Sequence, residues 1–172
     1  MPPNGDDAAL ATFNALGLDE AEAALRACCD SRAWVAAVSD GRPYGDRAAL
    51  LVRADAALAA LTWSDISEAL DAHPRIGQTP VGQGREPAWS RREQSGMDSA
   101  DAGVRQALAE ANRYYEARFG HIFLIFASGR TDREMLAAAR ERLQNDDETE
   151  HEIVRRELGR IARLRLERLL DT

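Results

Sequence analysis

Lysine is absent from the 172 residues, and all 22 basic side chains are arginine. Genome composition accounts for that as readily as chemistry does. Only two cysteines occur, Cys28 and Cys29, adjacent and without a third partner. No disulfide framework is therefore available, and a bond between neighbours would be strained, so the pair reads as small buried residues. A basic surplus is missing too: 29 acidic residues against 22 arginines leave a net charge of −7. That balance argues against nucleic acid as the main partner. No apolar run approaches the roughly 20 residues of a membrane span. The opening MPPNGDDAAL has neither the basic nor the apolar region of a secretion signal, and the final Leu-Leu-Asp-Thr is not a peroxisomal address. A reducing cytoplasm is the compartment these absences lead one to expect. Catalytic signatures of the common kinds are also lacking. His73, His121 and His151 stand far apart, and there is no HExxH, Cys/His metal spacing, GxSxG elbow or phosphate loop. No metal site is expected.

What is present is 45% hydrophobic and 30% charged, the balance of an ordinary globule of one domain over residues 1–172. Helical spacing recurs along it. Leu10, Phe13 and Leu16 mark a helix over 6–16, stopped by Gly17, and a second runs from Asp19 to about Cys29. Trp34, Val35 and Val38 sit on a short third helix before the turn at Gly41-Arg42-Pro43. Residues 46–61 carry Leu50, Leu51, Ala54, Leu58 and Leu61 on one side, and Ser64 caps the next helix, with Ile66, Ala69 and Leu70 inward. A long helix opening at Asp98 or Ser99 bears Val104, Leu108, Ala111, Tyr115 and Phe119 and stops at Gly120. Thr131 and Glu134 form a capping box for a helix through Met135, Leu136, Ala139 and Leu143. A final helix runs from 146–148 to about Leu170 with Val154, Leu158, Ile161, Arg165 and Leu169 in line. The sum is an all-α, single-domain irregular bundle of about seven or eight helices. Two long non-helical segments, 74–87 and 121–130, keep it from being a simple up-down bundle.

Residues 73–96 are the stretch that packing alone does not explain. His73 stands directly before Pro74, where a helix must stop. Gly77, Pro80, Gly82, Gly84 and Pro87 then exclude helix and ladder. Ser90, Glu93 and Gln94 follow at i, i+3, i+4, on one face of a helix. Plain explanations exist for parts of this. A helix-end histidine suits the dipole, and Ser90 with Glu93 matches a capping box. Gln94 and the shaped loop are left over. Together these residues look like two walls of a small polar pocket. The most apolar run, Ile122-Phe123-Leu124-Ile125-Phe126-Ala127, has no second strand to pair with. It reads as buried extended or irregular backbone leading into Ser128-Gly129-Arg130, whose amides need partners that a ligand with amide and carboxylate groups would supply. Arg165, in line with four aliphatic residues, needs an anion if it is buried and none if it snorkels to solvent. Proton chemistry by His73 and Glu93 is what remains.

Three motifs occur in order over nearly the whole chain: HPRIG, then SRREQSG with Ser90 seventeen positions after His73, then NRYYEARFGHIFLIFASGR. In these the sequence resembles the 2-oxo-4-hydroxy-4-carboxy-5-ureidoimidazoline (OHCU) decarboxylases, which close the path from urate to (S)-allantoin.

The resemblance implies decarboxylation without a cofactor, because the substrate carboxylate lies on a ring carbon beside an imine-type electron sink. It implies a small-molecule substrate and a homodimer. His73 would be the general acid/base, the ordinary imidazole pKa of about 6.5 suiting proton exchange near neutrality. Glu93 would share the catalytic role and, with Gln94, hold the ureido and ring amides. Ser90 would bond a substrate oxygen, and Pro74 would shape the wall behind it. The backbone of Phe123, Leu124, Ile125, Phe126 and Ala127 would supply amide hydrogen bonds, and Arg165 a charge for the carboxylate. In one place the sequence departs from the family. His73-Pro74 is followed by Arg75-Ile76-Gly77, where other members have Asp-Leu-Ala, which bears on contacts at the pocket rim. Two other readings stay open: a non-catalytic helical module that grips a partner protein through 73–96, and a relative acting on another ureido or imidazoline acid.

Overall fold

The computed structural model describes residues 5–77, 85–95 and 102–171. Nine helices and no strand occupy the described residues: α1 (Gly5–Ala15), α2 (Leu18–Cys28), α3 (Arg32–Asp40), α4 (Arg47–Ala59), α5 (Trp63–Leu70), α6 (Arg85–Glu93), α7 (Ala102–Phe119), α8 (Asp132–Arg142) and α9 (Asp147–Leu170). The all-α expectation holds. The count is one above the upper expectation of eight, and it includes three short helices, α3, α5 and α6, of 9, 8 and 9 residues. Helix α6 begins at Arg85, inside the span 74–87 expected to be non-helical. Pro87 is no obstacle there, since it falls in the first turn, where a missing N–H breaks no intrahelical bond. The loop residues Pro80, Gly82 and Gly84 and the helix start at Asp98 or Ser99 lie outside the described residues. No helix of the described residues is long and apolar enough to cross a membrane.

The chain divides into two compact units, residues 1–69 with 159–172, and residues 70–158. In the first, caps set the helix starts. Ser31 accepts the Trp34 N–H at the head of α3, and Asp46 accepts the Ala49 N–H at the head of α4. Helix α5 is capped two residues earlier than Ser64. Thr62 Oγ1 accepts the Asp65 N–H while Asp65 accepts the Thr62 N–H, a reciprocal box that satisfies two orphan donors. The core includes Leu25, Trp34, Val38, Leu50, Leu58, Ile66, Leu166 and Leu170, all buried. Trp34 hydrogen-bonds the Ala54 carbonyl at 3.1 Å, which fixes α3 on α4. The last part of α9 comes so close to α4 that a Cβ at Gly159 would lie 3.0 Å from Leu58 Cδ2. Cys28 and Cys29 are both buried and unbridged, and burial pushes the Cys29 thiol up to about 12.

The second unit is built round a core of Ile76, Leu108, Ala111, Tyr115, Phe123, Ile125, Ala127, Met135, Leu136 and Ala139. Helices α7 and α8 supply two of its sides, and residues 122–127 run between them as irregular backbone, as the lone apolar run led one to expect. Two glycines frame that segment. Gly120 has φ +79° and Gly129 φ +78°, the left-handed region that side chains avoid, so the chain leaves α7 and turns toward α8 at these points.

Candidate active site

Helix α5 ends at Leu70, and the His73 N–H bonds the Leu70 carbonyl at 3.0 Å, closing one last turn before Pro74. His73 and Pro74 are half-buried, whereas Ile76 turns into the core of the second unit. On α6, Ser90, Glu93 and Gln94 are all buried, with 2%, 7% and 8% exposure. A polar face withdrawn from solvent in this way is costly unless it is used. The two stretches are tied together. Gln94 Oε1 accepts the Gly77 N–H at 3.0 Å, which leaves the Gln94 amide nitrogen free to donate elsewhere.

The capping-box account of Ser90 and Glu93 falls, because α6 starts five residues before Ser90. Ser90 instead donates to Glu86 Oε1 at 2.9 Å, one turn back. Its proton is thereby committed, so Ser90 offers an incoming molecule lone pairs. A substrate N–H, or the O–H of a substrate hydroxyl oxygen as assigned from sequence, could donate to Ser90 without breaking that bond.

Phe123, Leu124, Ile125 and Ala127 are buried and Phe126 is half-buried. Three carbonyls of this run are held by side chains. Arg142 Nη1 donates to Leu124 O at 2.6 Å, Arg130 Nε to Phe126 O at 2.9 Å, and His121 Nδ1 lies 3.0 Å from Ile122 O. Among the described residues, none of the backbone N–H groups of Phe123, Leu124, Ile125, Phe126 and Ala127 has an acceptor. A row of buried donors is what a ligand rich in carbonyl and carboxylate oxygens would satisfy.

Arg165 belongs to the first unit. It is 1% exposed, so it does not snorkel, and its Nη1 donates to the Ala27 carbonyl at 3.2 Å. Arg75, the departure from the family pattern, is exposed and forms a two-pronged ion pair with Glu116 on α7, Nε to Oε1 at 2.5 Å and Nη2 to Oε2 at 3.1 Å. It lines a cavity of about 210 Å³ together with Arg105, Asn112 and Arg113. That cavity takes in none of the residues expected to do chemistry. Among the described residues, no group of three or more His, Cys, Asp or Glu side chains converges as a metal site requires.

Sequence reasoning missed a buried polar group in the second unit. Glu150, fully buried, accepts Arg142 Nε at 2.7 Å, Tyr115 Oη at 2.5 Å and Asn145 Nδ2 at 3.1 Å. Burial, then the hydrogen bond to Glu150, pushes the Tyr115 phenol up, so it remains a donor. Asn112, also buried, donates to the Ile76 carbonyl at 2.9 Å and so braces the loop that carries His73. A signal was available. Asn112 lies between Leu108 and Tyr115 at i+4, Arg142 follows Met135 and Ala139 at i+7, and Glu150 precedes Val154 by four. Each interrupts an apolar stripe in the same way as Arg165.

Comparison with known proteins bears on the family. A model of the family described as OHCU decarboxylase matches residues 14–167. The chain is 34% identical over 160 residues to the "Uric acid degradation bifunctional protein TTL" of Arabidopsis thaliana, covering 91% of this chain and 49% of that protein. It therefore spans about half the length of that relative. To the "2-oxo-4-hydroxy-4-carboxy-5-ureidoimidazoline decarboxylase" of Amia calva it is 29% identical over 138 residues, 79% of each chain. A crystal structure of OHCU decarboxylase in the presence of (S)-allantoin superposes with a TM-score of 0.75 at 34% identity, covering 86% of this chain and 96% of that one. With the match running across nine-tenths of its length, the chain belongs to the OHCU decarboxylase family.

Proposed function

We propose that the chain decarboxylates OHCU to (S)-allantoin in urate degradation, without a cofactor. Family membership supports the reaction class. The observation that carries the site is the Gln94–Gly77 hydrogen bond, which sets the buried polar face of α6 against the loop bearing His73. The chemistry asks for little beyond such a pocket. Carbon dioxide leaves from a ring carbon whose electrons flow into the adjacent imine, and one proton must then reach one face of that carbon. His73 delivers the proton, and Glu93 shares the acid/base role while accepting hydrogen bonds from ureido or ring N–H groups. Gln94 donates its amide N–H groups to a ureido or ring carbonyl, Ser90 accepts a substrate N–H, and Pro74 closes the wall. The amides of 123–127 bind the remaining oxygens. Contacts to the carboxylate must tighten as charge moves into the ring, because binding it equally well beforehand would protect the ground state. A cation is required as well. Arg165, read from sequence as that cation, is tested separately below.

The assay uses purified protein and freshly generated OHCU, with circular dichroism following the chirality of the allantoin formed. Spontaneous decay gives racemic product, so rapid appearance of the (S) isomer reports the enzyme. No acceleration would leave the non-catalytic module standing. Turnover of a different ureido acid in preference to OHCU would favour the related-substrate reading. We also propose a cytoplasmic homodimer. Sedimentation at about twice the 18.9 kDa chain mass supports the dimer, and a single-chain mass excludes it.

A further inference from the structure

The cavity of about 210 Å³ that holds the Arg75–Glu116 ion pair is lined wholly from the second unit. One face of α7 supplies most of its wall. Arg105, Ala109 and Arg113 stand there at i, i+4 and i+8, with Asn112 and Glu116 beside them. Arg75, Ile76 and Gly77 line it from the loop that follows His73. Space is left because two lining positions are small. Ala109 ends at its Cβ, and Gly77 has φ +87°, where a side chain would be strained. Three guanidiniums against one carboxylate make this a positive spot on a chain of net charge −7. Glu116 takes up only two of the five guanidinium N–H groups of Arg75. Among the described residues no carboxylate pairs with Arg113. Asn112 adds a demand of the opposite kind. It is 4% exposed, and its Nδ2 faces the Ile76 carbonyl, which can only accept. Its Oδ1 is therefore turned the other way, and among the described residues that buried acceptor has no donor.

We infer that this cavity is a second binding site, for a small oxyanion that also carries an O–H donor. Two sources share that chemistry, the 2-hydroxycarboxylates and hydrogen phosphate. Anionic oxygens meet Arg113 and the remaining N–H groups of Arg75, since a planar guanidinium suits carboxylate and phosphate alike. Arg105 adds positive charge two turns before Arg113. The hydroxyl of the ligand supplies the donor that Asn112 Oδ1 lacks. Position gives the site a consequence. Asn112 holds the Ile76 carbonyl at 2.9 Å and Gln94 holds the Gly77 N–H at 3.0 Å, so an occupant presses on the loop that carries His73. Binding here therefore modulates turnover without contact with the reacting groups.

Titration calorimetry of the full chain, in buffer low in chloride, tests the site with glycolate, inorganic phosphate and acetate. Glycolate, phosphate or both should bind with Kd on the order of 1 mM. Acetate, which is glycolate without its hydroxyl, should bind about fivefold more weakly. Ala109→Leu fills the cavity from an exposed helical position that leucine suits, and should abolish binding in a folded protein. Arg113→Ala should weaken it by about tenfold. Whichever of glycolate and phosphate binds identifies the source. Binding of neither, or binding unchanged in both variants, overturns the site, and equal affinity for acetate overturns the role of Asn112. A kinetic arm rests on the decarboxylase reading. The bound anion should change kcat for OHCU at least about twofold in wild type, and not in Ala109→Leu, whose basal rate should match wild type. Purely competitive inhibition, equal in both proteins, places the anion in the substrate pocket and overturns the modulation. A wild type inactive on OHCU sinks that reading alone, and calorimetry still decides this one.

Discussion

Gln94 Oε1 receives the Gly77 N–H at 3.0 Å, and through that bond the end of α6 is joined to the loop following His73. One side chain thus fixes the loop with its oxygen, and its amide nitrogen is the part proposed to meet the substrate. Gln94→Met keeps the volume and loses both roles. We expect kcat/KM to fall at least about tenfold. The lost hydrogen bond should cost only about 1 kcal/mol, a melting shift of about 2–4 °C. A thermal shift without a kinetic one would make Gln94 a loop brace alone.

His73→Ala should leave the fold intact, because the half-buried ring follows the last turn of α5 instead of filling the core. Stereospecific (S)-allantoin formation should drop by at least about 10²-fold, the usual contribution of a positioned acid/base. Near-wild-type turnover with normal helical circular dichroism removes His73 from the mechanism.

Glu93→Gln separates chemistry from folding. Since α6 begins at Arg85, Glu93 closes the helix and caps nothing at its start, so the roughly 1 kcal/mol of a lost capping box is not expected. Turnover should fall at least about tenfold with the melting temperature within about 3 °C. A lower melting temperature with full activity assigns Glu93 to structure.

The architecture was legible because periodicity carries it: Leu50, Leu51, Ala54 and Leu58 repeat at helical spacing and are buried as a stripe. The irregular 122–127 run was legible for the opposite reason, having no partner strand in the sequence. Helix starts were less so. Thr62, with Asp65 three residues on, outcompetes Ser64 as a cap, and Pro87, a helix breaker in the interior, stands in the first turn of α6. Least legible were Tyr115, Arg142 and Glu150, which meet across separations of 35 and 8 residues. No local pattern encodes such a meeting. Only a polar residue on an apolar stripe hints at it.

His121 makes the second unit sensitive to acid. Burial is the main cause that lowers its pKa below the ordinary 6.5, with His151 adding to the effect. In the unfolded chain the imidazole keeps its ordinary value. As the pH falls through 6.5 the unfolded chain takes up the proton first, so stability is lost down to the folded pKa and changes no further from this group below it. The melting temperature should therefore fall between about pH 7.5 and 5.5, and His121→Phe, which keeps a ring beside Tyr115 and Phe119, should flatten that limb. An unchanged slope in the variant would assign the acid sensitivity to other groups.

Arg165 offers the sharpest choice between a structural and a functional side chain. It is 1% exposed on α9, flanked by the buried Ile161, Ala162 and Leu166, and donates to the Ala27 carbonyl at 3.2 Å. A guanidinium so placed carries a desolvation cost that an apolar residue would not. If it is retained for a substrate carboxylate, Arg165→Leu should fold with a melting temperature within about 3 °C of wild type or higher, and lose activity by at least about 10²-fold. Arg165→Lys keeps the charge but not the planar fork, so a two-pronged carboxylate contact should weaken by about tenfold or more. Full activity in Arg165→Leu would end its assignment to the carboxylate. The next cation to replace would then be Arg130, whose Nε already holds the Phe126 carbonyl while its Nη2 lies 3.9 Å from Glu157, beyond a hydrogen bond.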